Sequence, residues 1–263
     1  MNNILIFKIV LSFVFAGTTI TCFTLLAERF GSKAGGMISM LPSTMLIGTL
    51  FFAWTQGKEF AAQTMISVPV GIIIDIIFLM IYIISMKRGI VISSVISISL
   101  WIVFALLFKN ISTDNILITL GIYSVMLILG VYVVEKILHI PMVSSQKKRY
   151  SPQQILFRAV FAGSIVSITV FLSSFASPYT IGILTNFPAV MFSSMIILYK
   201  AQGREFAQAT AKIMILSSSN LVIFGTSIYL LYPMIGVLFG TIIAYSIAIL
   251  YTIGLYPFIK KLS

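Results

Sequence analysis

The sequence predicts an all-α fold, a polytopic membrane helix bundle of about nine transmembrane helices, built as two inverted four-helix repeats joined by a linker helix. Three observations predict it. Hydrophobic residues make up 59% of the 263-residue chain and charged residues 9%, against about 25% charged residues in a soluble globular domain. So few charges do not cover a water-facing surface. Apolar runs of about 20 residues recur along the chain, the length that crosses a bilayer core of about 30 Å as a helix. They are continuous rather than alternating, which excludes a membrane β-barrel. Finally, the chain repeats itself. Residues 36–64, G-M-I-S-M-L-P-S-T-M-L-I-G-T-L-F-F-A-W-T-Q-G-K-E-F-A-A-Q-T, align without a gap on residues 182–210, G-I-L-T-N-F-P-A-V-M-F-S-S-M-I-I-L-Y-K-A-Q-G-R-E-F-A-Q-A-T, at an offset of 146. The same offset lays Val14-Phe15-Ala16-Gly17 on Val160-Phe161-Ala162-Gly163.

The elements follow from the apolar runs and their polar breaks, with ends uncertain by a few residues. The first helix covers about 4–27, up to Glu28-Arg29-Phe30-Gly31-Ser32-Lys33. The opening residues have the look of a signal peptide, but the twin of residues 14–17 at 160–163 argues for a retained helix. The second covers about 35–55, to Gln56-Gly57-Lys58-Glu59, and the third about 60–86, to Lys87-Arg88-Gly89. The fourth covers about 90–109 and the fifth about 116–138. A polar segment from His139 to Gln154 follows, containing Lys147-Lys148-Arg149. The sixth helix covers about 155–174, the seventh about 179–199, the eighth about 206–231 and the ninth about 234–257, before Lys260-Lys261. The domains are therefore 1–110, a first four-helix repeat; 111–152, the linker helix with its loop; and 153–263, the second repeat.

Net charge is +11. The basic residues sit between apolar runs, as the positive-inside rule requires, so a nucleic-acid partner is not expected. The rule puts Lys147-Lys148-Arg149, Arg158, Lys200, Arg204, Lys260 and Lys261 inside, with Arg29, Lys33, Lys87 and Arg88. The N-terminus is then outside, with Lys8 against the trend. An even-helix unit followed by one extra helix turns the second copy over. Inverted repeats build many secondary transporters, whose site lies between the two halves. The expected location is the cytoplasmic (inner) membrane, crossed many times.

The second copy resembles the short GlpM-like bacterial membrane proteins through Tyr179-Thr180-Ile181-Gly182-Ile183-Leu184, Phe187-Pro188-Ala189, Glu205 and Ala209-Thr210. Ala189 stands where that family has threonine, and the first copy reads Leu41-Pro42-Ser43. The likeness covers the first three helices of each copy. It implies two such four-helix units fused through a linker helix, and no substrate. The layout is more distantly similar to that of the drug/metabolite transporters, without a motif of that group.

Several residues are candidates for a site. Pro42 and Pro188 fall midway along the second and seventh helices, where a missing N–H kinks a helix. The freed carbonyls need protein or water partners, and Ser39, Ser43 and Thr44 lie near the first proline, Thr185 and Asn186 near the second. Two equivalent kinks around a polar mid-membrane site, or ordinary helix packing, both fit. Asp75, in Ile72-Ile73-Ile74-Asp75-Ile76-Ile77-Phe78, is the acid deepest in an apolar run. An ionised Asp at a helix centre costs roughly 2.5–3.5 kcal/mol and commonly marks an ion or proton path. Its twin is Leu221, beside Asn220. Lys212 is within reach of Asp75 by helical rise; the alternative is that it snorkels to the inner interface. Lys58 with Glu59, and Arg204 with Glu205, open the third and eighth helices as caps on the helix dipole or as gate pairs. Trp54 and Trp101 read as interface anchors.

With one cysteine, Cys22, and one histidine, His139, neither a disulfide, a metal site nor a nucleophile–base set is expected. No cofactor and no enzyme activity are expected. The function expected is a secondary transporter of a small solute by alternating access, coupled through Asp75. A lipid or polyisoprenoid flippase and a non-transporting accessory subunit are the alternatives. The partners are a small-molecule solute or a lipid, the membrane lipids, and a second copy of the chain in a homodimer.

Overall fold

Helices are the only regular elements among the described residues, which are 3–29, 41–111, 113, 115–141 and 150–261 of a computed structural model. In chain order they are α1 (Asn3–Arg29), α2 (Ser43–Gln56), α3 (Lys58–Thr64), α4 (Val68–Ser85), α5 (Ile90–Phe108), α6 (Ile116–Tyr132), α7 (Pro152–Leu172), α8 (Pro178–Thr185), α9 (Ala189–Gln202), α10 (Arg204–Ser217) and α11 (Ser219–Lys261). Short 3-10 turns, Met65–Ser67 and Met86–Arg88, follow α3 and α4, and a π-helical turn, Val133–Ile137, extends α6.

Seven of these stretches are long and apolar enough to cross a membrane. The chain is thus a multi-pass helical membrane protein by length and composition. The second expected span begins on residues 30–40, outside the described residues. The eighth and ninth fall in one helical stretch, 204–259, interrupted at Gly236 with φ 80° and ψ 178°. Lys33, Ser39 and Lys147-Lys148-Arg149 also lie outside the described residues.

Local chemistry sets the element ends. Ser151 and Gln154 form a capping box at the start of α7, with Pro152 in its first turn, and Ser177 accepts from the Thr180 N–H at the start of α8. Asn115 Oδ1 accepts from the Leu117 N–H at the start of α6. The starts of α2 and α9 differ: Pro42 and Pro188 occupy the N-cap positions, and neither start has a side-chain cap. α2 and α9 coincide residue for residue at the offset of 146, and both end at a glycine of like conformation, Gly57 (φ 96°, ψ 163°) and Gly203 (φ 88°, ψ 178°). That conformation is essentially confined to glycine, so the Gln-Gly-basic-Glu motif encodes the same sharp break twice.

The two copies differ downstream. Pro69 sits in the first turn of α4. Lacking an N–H, it would leave the Met65 carbonyl unpaired in a continuous α-helix and clash with it. The chain makes a 3-10 turn there instead, with the Val68 N–H bonded to Met65 O. The twin position holds Ile215, and α10 runs unbroken from Arg204 to Ser217.

α4 is buried nearly all round, as expected of a helix apolar on every face. The other long helices leave large apolar side chains exposed, where lipid would lie. α1 crosses α7 closely. A Cβ on Gly17 would lie 3.2 Å from Ala159 O, and one on Gly163 2.9 Å from Phe13 O. α6 touches both copies. Thr119 donates to Ile66 O (3.2 Å) near its start. Gly130 faces Ile76 and Ile215, and Glu135, on the π-turn, pairs with Lys212.

Candidate functional site

A cavity of about 50 Å3 lies where the two copies meet, roomy enough for a few waters. Its wall is made of equivalent residues: Leu41 and Phe187, Ser43 and Ala189, Thr44 and Val190, Met45 and Met191, Asp75 and Leu221. Thr185, Asn186 and Pro188 complete it. The starts of α2 and α9 therefore both open on this space, together with the C-terminal end of α8. The prolines do not kink continuous helices as expected. Pro188 stands at a full break between Thr185, where α8 ends, and Ala189, where α9 begins. Pro42 is buried and is not itself part of the wall, although Leu41 and Ser43 on either side of it are.

Asp75 is 1% exposed, midway along α4. Trp101 of α5 donates its indole Nε1–H to Asp75 Oδ1 at 2.8 Å. The Trp101 ring meets Phe187 edge-on, with centroids 4.9 Å apart. Trp101 is thus a buried partner of the carboxylate and not the interface anchor expected. Its place in the middle of the run 90–108 is the sign that it belongs inside, because anchors stand near span ends. Trp54 is exposed, with Lys8 Nζ 5.0 Å from its ring centroid and bonded to its carbonyl.

Asn186 is 5% exposed. Its Nδ2 donates to Gly182 O at 2.7 Å, and its Oδ1 has no hydrogen-bond partner. Gly71 of α4 lets it approach: a Cβ there would come 2.6 Å from Asn186 Nδ2. Gly182 packs in the same way against α3 and the turn after it, where a side chain would overlap Thr64 O and Ser67 Oγ. Ser67 Oγ donates to Tyr179 O at 2.7 Å.

Lys212 does not reach Asp75. It pairs with Glu135 and donates to Ile140 O at 2.9 Å. The π-turn explains the choice, since Leu138 N–H bonds Val133 O and Ile140 N–H bonds Val134 O, winding the end of α6 back over Lys212. Glu135 and Arg158 are ionisable groups that sequence reasoning passed over as site residues. Arg158 is 3% exposed, with its guanidinium 5.5 Å from the centroid of the Tyr150 ring. Asn220 is buried, but its neighbour Leu221 is the one that reaches the cavity. Lys58 lies 3.8 Å from Glu59 and bonds Pro233 O at 3.3 Å. Arg204 and Glu205 are exposed. All four stand at helix starts, away from the cavity wall.

No family model, no curated protein and no solved structure matches the chain.

Proposed function

We propose that the chain is a secondary transporter that moves a small solute across the cytoplasmic (inner) membrane by alternating access, with Asp75 as the coupling group. The observation that carries this is the cavity, whose wall pairs equivalent residues of the two copies and holds the buried Asp75. A site between repeats is where such transporters bind.

The finer architecture belongs to the same reading: nine spans, the repeats inverted about a linker helix, each copy a GlpM-like unit. The contacts along α6 support it. From Thr119 to Gly130 that helix meets Ile66 and then Ile76, ascending. From Gly130 to Glu135 it meets Ile215 and then Lys212, descending. So α6 runs with α4 and against α10, and the equivalent third and eighth helices run opposite ways. Ile66 and Lys212, equivalent at the offset of 146, meet α6 roughly 24 Å apart along its axis. The crossing of α1 with α7 agrees, because Gly17 faces 159 while Gly163 faces 13, the reciprocity of a two-fold axis between antiparallel helices.

A lipid-handling reading draws on a groove of about 350 Å3 between α1 and α7, lined by Gly17, Thr21, Cys22, Leu156 and Val160 among others. Its wall carries no basic side chain to meet a headgroup, so the solute reading is preferred. The test is solute uptake in proteoliposomes with and without a pH gradient. Gradient-driven uptake supports the reading, and lipid movement between leaflets without solute uptake overturns it.

A further inference from the structure

We propose that the solute is a small zwitterion of the size of glycine or alanine, its carboxylate held by the starts of α2 and α9 and its ammonium group by Asp75 and Asn186. This rests on the transport reading above.

The argument is one of unmet partners. Each helix start carries about half a positive elementary charge and several N–H groups without a partner in the helix. The Ser43 N–H goes to Leu41 O and the Ala189 N–H to Phe187 O. No side chain caps either helix, which leaves the following N–H groups of two 14-residue helices for a ligand. Such ends take carboxylates and phosphates.

The same cavity holds groups of the opposite sense. Asp75 offers a carboxylate, and the buried Asn186 Oδ1 is an acceptor without a donor. Both call for a cationic N–H donor. Phe187, with Trp101 against it, gives that cation an aromatic neighbour, which adds to its binding. The two helix starts together carry about one positive charge, the complement of one carboxylate, and a bound cationic group would be the complement of Asp75. A ligand of zero net charge with separated ends fits this field better than a lone cation or a lone anion.

Lys212 does not disturb the balance, being engaged by Glu135 and Ile140 O. The cavity of about 50 Å3 limits the ligand to the smallest members of the class.

The experiment is equilibrium binding of radiolabelled alanine and glycine to the full chain in nanodiscs. Propionate, which lacks the amine, and ethylamine, which lacks the carboxylate, are the competitors. Alanine or glycine is expected to bind, with each competitor weaker by roughly tenfold to a hundredfold for the lost charged contacts. Asp75→Asn removes the complement of the ammonium group and keeps the helix starts. Alanine binding should fall at least tenfold while propionate binding rises, inverting the preference.

Absence of alanine and glycine binding to folded wild-type protein overturns the proposal. So does either competitor binding as well as alanine. The wild-type panel decides by itself if Asp75→Asn fails to fold. Binding is read without flux, so the two ideas fail separately. Alanine bound but never moved sinks only the transport reading, and gradient-driven flux of a solute outside the zwitterion class sinks only this one.

Discussion

Asp75→Asn separates charge from shape at one atom. Asn is nearly isosteric and its Oδ1 still accepts the Trp101 N–H, so the fold should persist. Uptake in proteoliposomes should lose its response to a pH gradient, and an unchanged response would remove Asp75 from the mechanism. Trp101→Phe makes the converse cut, keeping the ring and deleting the donor of the 2.8 Å bond. A buried acceptor left unmet costs about 1–3 kcal/mol, read as a lower midpoint of thermal unfolding. Lys212 and Glu135 should behave as a unit. Lys212→Met or Glu135→Met strands a buried charge, a loss of about 3–5 kcal/mol. The double variant Lys212→Met/Glu135→Met should recover most of it, and additive losses in the cycle would deny the coupling. Asp75, Asn186 and the flanks of the prolines were legible because polar groups in apolar runs stand out. Their partners were not. Trp101 gave only its mid-run position as a sign, and Glu135, the partner of Lys212, gave none, because the π-turn after α6 is what aims it inward.

At the scale of elements, the prolines act as N-caps of helices that begin at the cavity. Pro188→Ala restores an N–H and removes the ring, so α8 and α9 should tend to merge through residues 186–188. Pro188 stands at an N-cap, so its removal relieves no interior clash and frees the unfolded chain by only about 1 kcal/mol; thermal stability should change little while uptake falls. A stability loss with full uptake at matched expression would reduce Pro188 to a packing residue. Pro42→Ala, at the N-cap of α2, should likewise lower uptake. The helices themselves were readable from the apolar runs and the Gln-Gly-basic-Glu punctuation, because each signal is local. The break after Thr185 was not, because proline alone does not say whether a helix bends or stops. Nor was the 3-10 turn at Met65–Ser67, although Pro69 was the residue to ask about.

For the molecule as a whole, the offset of 146 was the most informative feature of the sequence, since it pairs the positions that line the cavity. It was blind to what α6 touches, because the offset pairs that helix with nothing. The proposed inverted arrangement predicts that equivalent sites face opposite aqueous phases. Glu59 and Glu205 are both exposed and suit single-cysteine labelling in a Cys22→Ala background better than Gly57 and Gly203, whose positive φ a cysteine would strain. Glu59→Cys should label from one side of sealed vesicles and Glu205→Cys from the other. Labelling of both from the same side would end the inverted-repeat reading.

The turn forced by Pro69 has no counterpart at Ile215, and the proposed cycle, in which the two copies exchange roles, would then have unequal end points. The copy with proline is already bent next to Gly182, through Ser67 and Tyr179. The copy with isoleucine must unwind helical bonds to reach the same shape. The protein would rest with one side open far more often than the other, and Ile215→Pro would lower that imbalance, turning a biased machine toward an even one.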